Sequence, residues 1–202
     1  MEKTLYLIRH GESEQNIANV MSGMTNTKIS ASGIQQCKRL SAAFMNKKID
    51  FIFSSPLDRA IQSAKLIFPE FKERIIVSDF LREFNYGTYE GHSRDNYLET
   101  EDKVIDMWLN SPSNLTFPDG DNINKHTEFV YSGVLQTINK YDGQNLVYIT
   151  HRTTIRLLIA KFLNLNLDYF RRIPCSNCSV TKLQTNQDKF TIESINITVD
   201  GI

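Results

Sequence analysis

Three short polar clusters carry the residue types that could do chemistry: Arg9-His10-Gly11-Glu12, Ser54-Ser55-Pro56 running on to Arg59, and Thr150-His151-Arg152-Thr153. Each follows an apolar, β-prone run, and two of the chain's four histidines lie in them together with Arg9, Arg59 and Arg152. Guanidinium forks match phosphate oxygens bidentately and stay charged at any working pH. A neutral imidazole among such groups is a competent nucleophile toward phosphorus, and the phosphohistidine it forms is labile enough to hydrolyse. A second histidine, if protonated, would stabilise the charge that grows on the equatorial oxygens. Helix N-termini after the strands would add N–H donors for the same anion. A carboxyl kept protonated by the neighbouring phosphate would supply the proton that the leaving oxygen needs. Phosphoryl transfer through histidine is the chemistry these residue types suit.

The elements that must position them can be read from apolar spacing. Strands are expected over Lys3 to Ile8, Asp50 to Phe53 and Asn145 to Thr150. Ile34, Cys37, Leu40, Ala43 and Phe44 make a helical stripe within Ser30 to Asn46. Ser54-Ser55-Pro56 should cap a helix with Leu57, Ala60, Ile61, Ala64 and Ile67 on its core face, ended by Pro69. Further helices are expected near Asp95 to Leu109, from about Asn122 to Tyr141, and through Ile155, Leu158, Ile159, Phe162 and Leu163. Ser179 to Val199 alternates as strand, which suggests a terminal hairpin. Strands alternating with helices imply an α/β fold, a three-layer α/β/α arrangement around a mostly parallel central sheet. In such sheets ligands bind just beyond the carboxyl ends of the strands, where the three clusters fall.

The 202 residues suit a single domain over 1–202, with a helical and loop insertion at about 80–122 expected to cap the site. Lys+Arg and Asp+Glu both number 23, so there is no basic excess of the kind that nucleic-acid binding requires. No stretch approaches the ~20 apolar residues of a membrane span, and no segment reads as a signal sequence, so a cytoplasmic location is expected. Three cysteines form no disulfide framework, and Cys175-Ser176-Asn177-Cys178 lacks the second pair that a zinc site would want. These cysteines are read as ordinary and semi-buried.

Leu7-Ile8-Arg9-His10-Gly11-Glu12-Ser13, with Asn16 beyond, closely resembles the signature of the histidine phosphatase, or phosphoglycerate-mutase-like, superfamily. Ser55-Pro56-Leu57-x-Arg59-Ala60-x-Gln62-x-Ala64 is similar to its second block, Leu81-x-Glu83 through Gly91 to a third, and His151 through Arg156 to the last. Ile29-Ser30-x-x-Gly33-x-x-Gln36 matches the helix opening between the first two. The blocks stand in the family's order across most of the chain. The resemblance implies that His10 is the nucleophile, that His151 is the second histidine, and that Arg9 and Arg59 hold the phosphoryl group. It makes Glu83 the proton donor, with Glu90 and Asp121 as alternative carboxyls. Asn16, Ser22 and Gly23 would touch the substrate. It also implies that neither a metal nor another cofactor is needed.

Two departures matter. Arg152 replaces the glycine that usually follows the second histidine; it either narrows the pocket or adds a cation that favours a substrate with an extra negative group. Asp121 stands where glutamate is frequent and is expected to cap the helix that follows. His92 and His126 are read as surface or packing residues, and Trp108 as core. Phe84 follows Glu83, and Ser93 to Pro118 holds only Arg94 as arginine, so the cations that a mutase of this family uses are not recognised. A phosphatase acting on a small phosphorylated metabolite is therefore expected. Phosphoglycerate mutase is the alternative, and a non-catalytic phospho-ligand binder a more distant one. A homodimer is admitted as an assembly.

Overall fold

The computed structural model describes residues 2–93, 95, 102–186 and 189–199. Six strands form one sheet: β1 (Glu2–Arg9), β2 (Phe51–Ser54), β3 (Ile76–Val77), β4 (Asn145–Thr150), β5 (Val180–Asn186) and β6 (Lys189–Ile197). Their order is β3-β2-β4-β1-β5-β6; the pairs β3/β2, β2/β4 and β4/β1 are parallel, while β1/β5 and β5/β6 are antiparallel. The expected mostly parallel sheet and its terminal hairpin are both present.

Helices cover the two faces: α1 (Glu14–Ile17), α2 (Ala31–Phe44), α3 (Asp58–Ile67), α4 (Lys103–Asn110), α5 (Ile123–Lys140) and α6 (Arg152–Phe162). The central strands are buried on both sides, so alternate residues feed different cores. Leu5 and Leu7 of β1 and Leu146 and Tyr148 of β4 join the core under α5 and α6. Ile8, Val147 and Ile149 point the opposite way, into the core made with α2 and α3. Each buried Leu or Ile contributes about 1.5–3 kcal/mol, which fixes the register against a one-residue slip.

Two element expectations need correction. Pro56 does not open α3: the N-cap is Leu57 and the first helical residue is Asp58, while Ser55 Oγ accepts from Leu57 N–H at 3.3 Å. The helix expected over Asp95 to Leu109 is not continuous: Asp95 is helical, residues 96–101 lie outside the described ones, and a new helix starts at Lys103. Asp102 there has extended dihedrals, and its carboxylate accepts from the N–H groups of Val104 and Ile105. A short polar residue of this kind starts a helix rather than continuing one. The long helix over 123–140 is as expected, capped by Asn122.

The loop after β1 is stitched to the N-terminus of α2. Ser30, the N-cap, donates its hydroxyl to Glu12 Oε1 at 2.7 Å and accepts from Gly33 N–H; Gln36 Oε1 accepts from Glu12 N–H. Helix and loop approach so closely that a Cβ on Gly33 would lie 2.1 Å from the Glu12 carbonyl oxygen. Gly33→Ala is therefore expected to cost about 1–3 kcal/mol, because a backbone carbonyl rather than a flexible side chain must move. Thermal unfolding should show the midpoint falling by about 3–10 °C, and an unchanged midpoint would contradict this packing.

Candidate active site

Strand register brings the three polar clusters together. Arg9 pairs with Thr150 across β1 and β4, and Ser54 pairs with Ile149 across β2 and β4, so the three strands end level with one another. Two further ladder bonds, His10 N–H to Thr150 O at 3.0 Å and Ser55 N–H to Ile149 O at 2.9 Å, carry the alignment one residue past the sheet. Consequently the His10 and His151 rings lie 5.1 Å apart, and the next residues open onto a cavity of about 330 Å³.

His10 is buried, and its Nδ1 lies 2.7 Å from the Gly11 carbonyl oxygen. A carbonyl can only accept, so Nδ1 carries the proton and Nε2 keeps its lone pair. Burial, reinforced by the charges of Arg59 and Arg9 and opposed by the Gly11 carbonyl, holds the imidazole well below its ordinary value. His10 is thus a neutral base of fixed tautomer.

Arg59 is fully buried and anchored on three sides: Nε–H to His151 Nδ1 at 3.2 Å, Nη1 to Thr25 O at 2.9 Å, and Nη2 to Gly23 O at 2.6 Å. A guanidinium has five N–H groups, so one on each Nη is left for a ligand. Arg9 donates from Nη1 to Cys175 O at 2.8 Å and lines the same cavity.

The protonated form in which a second histidine would stabilise charge is disfavoured at His151. Its Nδ1 accepts from Arg59, and its Nε2 lies 2.7 Å from Ser55 Oγ, which makes it the Nε2–H tautomer. Burial first, then the Arg59 charge, keep it neutral. The same arginine that sets its tautomer makes a second proton on Nδ1 unfavourable.

Glu83 lines the cavity, whereas the two alternative carboxyls are committed elsewhere. Glu90 accepts from Met24 and Thr25 N–H. Asp121 grips Arg82 with both oxygens, at 2.6 and 3.0 Å, and accepts from Asn85 N–H. Although burial acts the other way, His126, Arg82 and the Asn85 N–H hold the Asp121 carboxyl well below the usual carboxylate range. Asn122, not Asp121, caps α5, because Asp121 is spent on this network.

The expected use of helix N-termini also needs correction. The first-turn N–H groups of α6, from Thr153 and Thr154, donate at 3.2 Å to Glu83. That end of the helix therefore orients the carboxyl instead of the phosphate, and Thr154 Oγ1 and Phe84 N–H complete the carboxyl's bonds.

Asn16 Oδ1 accepts from Ser13 N–H and from Asn177 Nδ2–H, and Asn16 lines the cavity. Ser22 and Gly23 line the wall, as does Arg152. Cys175 and Cys178 are buried rather than semi-buried, and Cys37 is buried as its helical stripe requires. The turn 175–178 braces the loop after β1: Cys178 N–H donates to the Arg9 and His10 carbonyls, and Asn177 Nδ2–H to the His10 carbonyl. Trp108 is half-buried and lines the cavity, contrary to the core reading. His126 is packed at Thr154 Oγ1 and Asp121, in keeping with a packing residue. Sequence reasoning assigned no role to Arg156, Arg171 or Ser55. Arg156 ends the last of the family-like blocks, and its spacing of four from Arg152 was a further signal for it. Arg171 arrives by tertiary packing alone.

Among the described residues, no cluster of three or more His, Cys, Asp or Glu side chains suits a metal, and no helix is long and apolar enough to cross a membrane.

His10 and His151 bind protons less readily when folded than when unfolded, so their contribution to folding stability is fully present above about pH 6.5 and declines as pH falls below it. Imidazole NMR signals of these two residues are expected not to titrate at the ordinary histidine midpoint of about 6.5. A midpoint near 6.5 for His10 would contradict the buried neutral base.

Comparison with known proteins agrees with this geometry. Over residues 5–198 the chain matches the histidine phosphatase superfamily (branch 1). It is 26% identical over 195 residues to phosphoserine phosphatase 1 of Hydrogenobacter thermophilus, covering 96% of this chain and 92% of that protein. It is 24% identical over 186 residues to a probable phosphoglycerate mutase, GpmB, of Escherichia fergusonii, covering 92% and 86%. The fold superposes on a phosphoserine phosphatase of Entamoeba histolytica crystallised with 3-phosphoglyceric acid, with a TM-score of 0.88, 24% identity, and coverage of 97% and 98%. The match spans both histidine loops and the carboxyl between them, and the chain belongs to the histidine phosphatase superfamily, branch 1.

Proposed function

We propose that the chain is a phosphatase that hydrolyses small phosphate monoesters through a phosphohistidine on His10. The observation that carries this reading is the His10 tautomer, with Nδ1–H held by Gly11 O and Nε2 facing a cavity that Arg9 and Arg59 also line. Relatives named as phosphoserine phosphatases support it.

In the first step His10 Nε2 attacks phosphorus as the bond from phosphorus to the ester oxygen breaks. Arg9 and Arg59 hold the phosphoryl oxygens and carry the charge stabilisation, since His151 is neutral; His151 serves by orienting Arg59. The carboxyl of Glu83 gives its proton to the departing alkoxide, and the alcohol leaves. Water then attacks the phosphohistidine and passes a proton to the Glu83 carboxylate, which releases phosphate and restores His10. Asn16 and the Ser22-Gly23 wall bound the substrate, and the segment from about 80 to 122 covers it as part of one domain. A small soluble substrate and unpaired thiols suit a cytosolic setting.

Phosphoglycerate mutase is the second reading, favoured by the relatives that carry that name. It would share every step up to the phosphohistidine and differ in the acceptor.

Hydrolysis of p-nitrophenyl phosphate is expected to survive EDTA and to fall by roughly 10⁴-fold or more in His10→Ala. Acid-labile phosphate should be trapped on the wild type alone. Activity that persists in His10→Ala would remove His10 as nucleophile. Interconversion of 2- and 3-phosphoglycerate that outpaces phosphate release would favour the mutase.

Glu83→Gln should slow alkyl phosphates by about 10²–10⁴-fold and p-nitrophenyl phosphate much less, because nitrophenolate departs without a proton. Equal losses on both esters would remove Glu83 as the proton donor.

A further inference from the structure

Two elements pack on the loop after β1 and touch one another beside it. From the turn 175–178, Cys178 N–H donates to the Arg9 and His10 carbonyls, at 3.1 and 3.2 Å. From α2, Cys37 lies so near that a Cβ on Gly11 would stand 2.9 Å from its Sγ. The sulfurs of Cys37 and Cys178 are 3.5 Å apart, and both residues are buried. The C-x-x-C spacing would pair Cys178 with Cys175 instead. Cys175, however, faces the core under α5 and α6, whereas Cys178 shares the other core with Cys37. Cys178 takes a left-handed backbone, with φ of 52°, which a residue other than glycine keeps only where its surroundings impose it.

The phosphoryl chemistry uses neither thiol, yet their contact is polarised. The hydrogen bond from Cys178 holds the Cys37 thiol below its ordinary value against burial, helped by Ser63 and the Gly11 N–H. The same bond, with burial, pushes the Cys178 thiol up. Cys178 is thus the donor, and Cys37 is the sulfur that ionises first. Cys178 also lines a second cavity of about 250 Å³, together with Gln36 and Arg39 of α2 and with Asn177. That cavity shares no lining residue with the active-site cavity. A molecule the size of peroxide has room in it.

We propose that Cys37 and Cys178 form an oxidant-sensitive pair whose reversible disulfide, made by a peroxide in the second cavity, shifts the His10 loop. Cys178 Sγ attacks one peroxide oxygen and passes its proton to the Cys37 thiolate. The O–O bond breaks, and the other oxygen leaves as hydroxide, which regains from water the proton that Cys37 had released. Cys37 Sγ then attacks the Cys178 sulfenic sulfur; the S–O bond breaks, and the hydroxyl departs with the Cys37 proton as a second water. Both sulfurs are oxidised and the peroxide is reduced. The sulfurs must close from 3.5 Å to about 2.0 Å, so α2 and the turn draw together by up to about 1.5 Å. The Arg9 and His10 carbonyls, bonded to Cys178 N–H, move with the turn. A displacement of about 1 Å at a reacting group costs about 10²-fold in rate. The effect on turnover rests on the reading that His10 is the nucleophile; the disulfide itself does not.

The test treats reduced wild type with hydrogen peroxide and reads intact mass and proteolytic peptides without reductant. The expected product has lost two hydrogen atoms, yields a peptide joining Cys37 to Cys178, and returns to the thiols with dithiothreitol. With the cross-link, kcat for p-nitrophenyl phosphate should fall by about 10–100-fold and recover on reduction. Cys175→Ala should keep the cross-link and the fall, whereas Cys37→Ala should lose the cross-link. Oxygen added to a cysteine without a cross-link, a bridge to Cys175, or thiols left intact would overturn the proposal. A cross-link that leaves kcat unchanged would overturn the coupling to His10. If wild type hydrolyses no ester, the phosphatase reading falls alone. The His10 imidazole NMR signal then reports the loop: a shift between thiol and disulfide forms keeps the coupling, and an unmoved signal removes it.

Discussion

The site depends on a register: β1, β4 and β2 run parallel and stop level, so the residues that follow them meet at one edge of the sheet. Because side chains alternate along a strand, that register is held by two separate cores at once. A slip by one residue would turn Leu5, Leu7, Leu146 and Tyr148 out of one core and Ile8, Val147 and Ile149 out of the other. The histidine loops therefore inherit a precision that no contact within the site could supply alone.

Electrostatics follows from the burial that this placement imposes. Arg59 sits within hydrogen-bonding distance of one histidine, and its charge bears on both, so each stays neutral. The two rings nevertheless differ. Gly11 O leaves His10 with a lone pair at the cavity, while Ser55 and Arg59 occupy both nitrogens of His151. One is available to a ligand and the other braces an arginine. A similar division separates the carboxyls, since Glu83 faces the cavity on the first turn of α6 while Asp121 is consumed by Arg82, Asn85 and His126.

What could be read in the sequence was whatever lay next to a strand end. Arg9, His10 and His151 follow apolar runs directly, and Arg59 is five residues beyond one, so local pattern was enough to place them. Glu83 sits in a stretch of short turns and was located only by resemblance to the family. Three of the misreadings at the site share a cause: they concern hydrogen-bond partners. Pattern alone cannot show that the N–H groups of α6 are taken by Glu83, that Asn122 rather than Asp121 caps α5, or that His151 receives the Arg59 N–H. Trp108 looked like core because an isolated aromatic carries no period, and Arg171 is recruited across the fold from a turn far from the motifs.

The first strand lies inside the sheet, yet both of its neighbours come from the far end of the chain: Leu7 pairs with Tyr148 on one side and with Thr181 on the other. During synthesis β1 must wait for β5 for roughly 10 to 40 s at ordinary elongation rates, with its apolar residues uncovered. The turn at Cys178 that clasps the Arg9 and His10 carbonyls is made at nearly the same late moment. A ribosome-bound chain therefore carries His10 long before the cavity around it exists, and that cavity is completed only when the β5–β6 hairpin closes over the first strand.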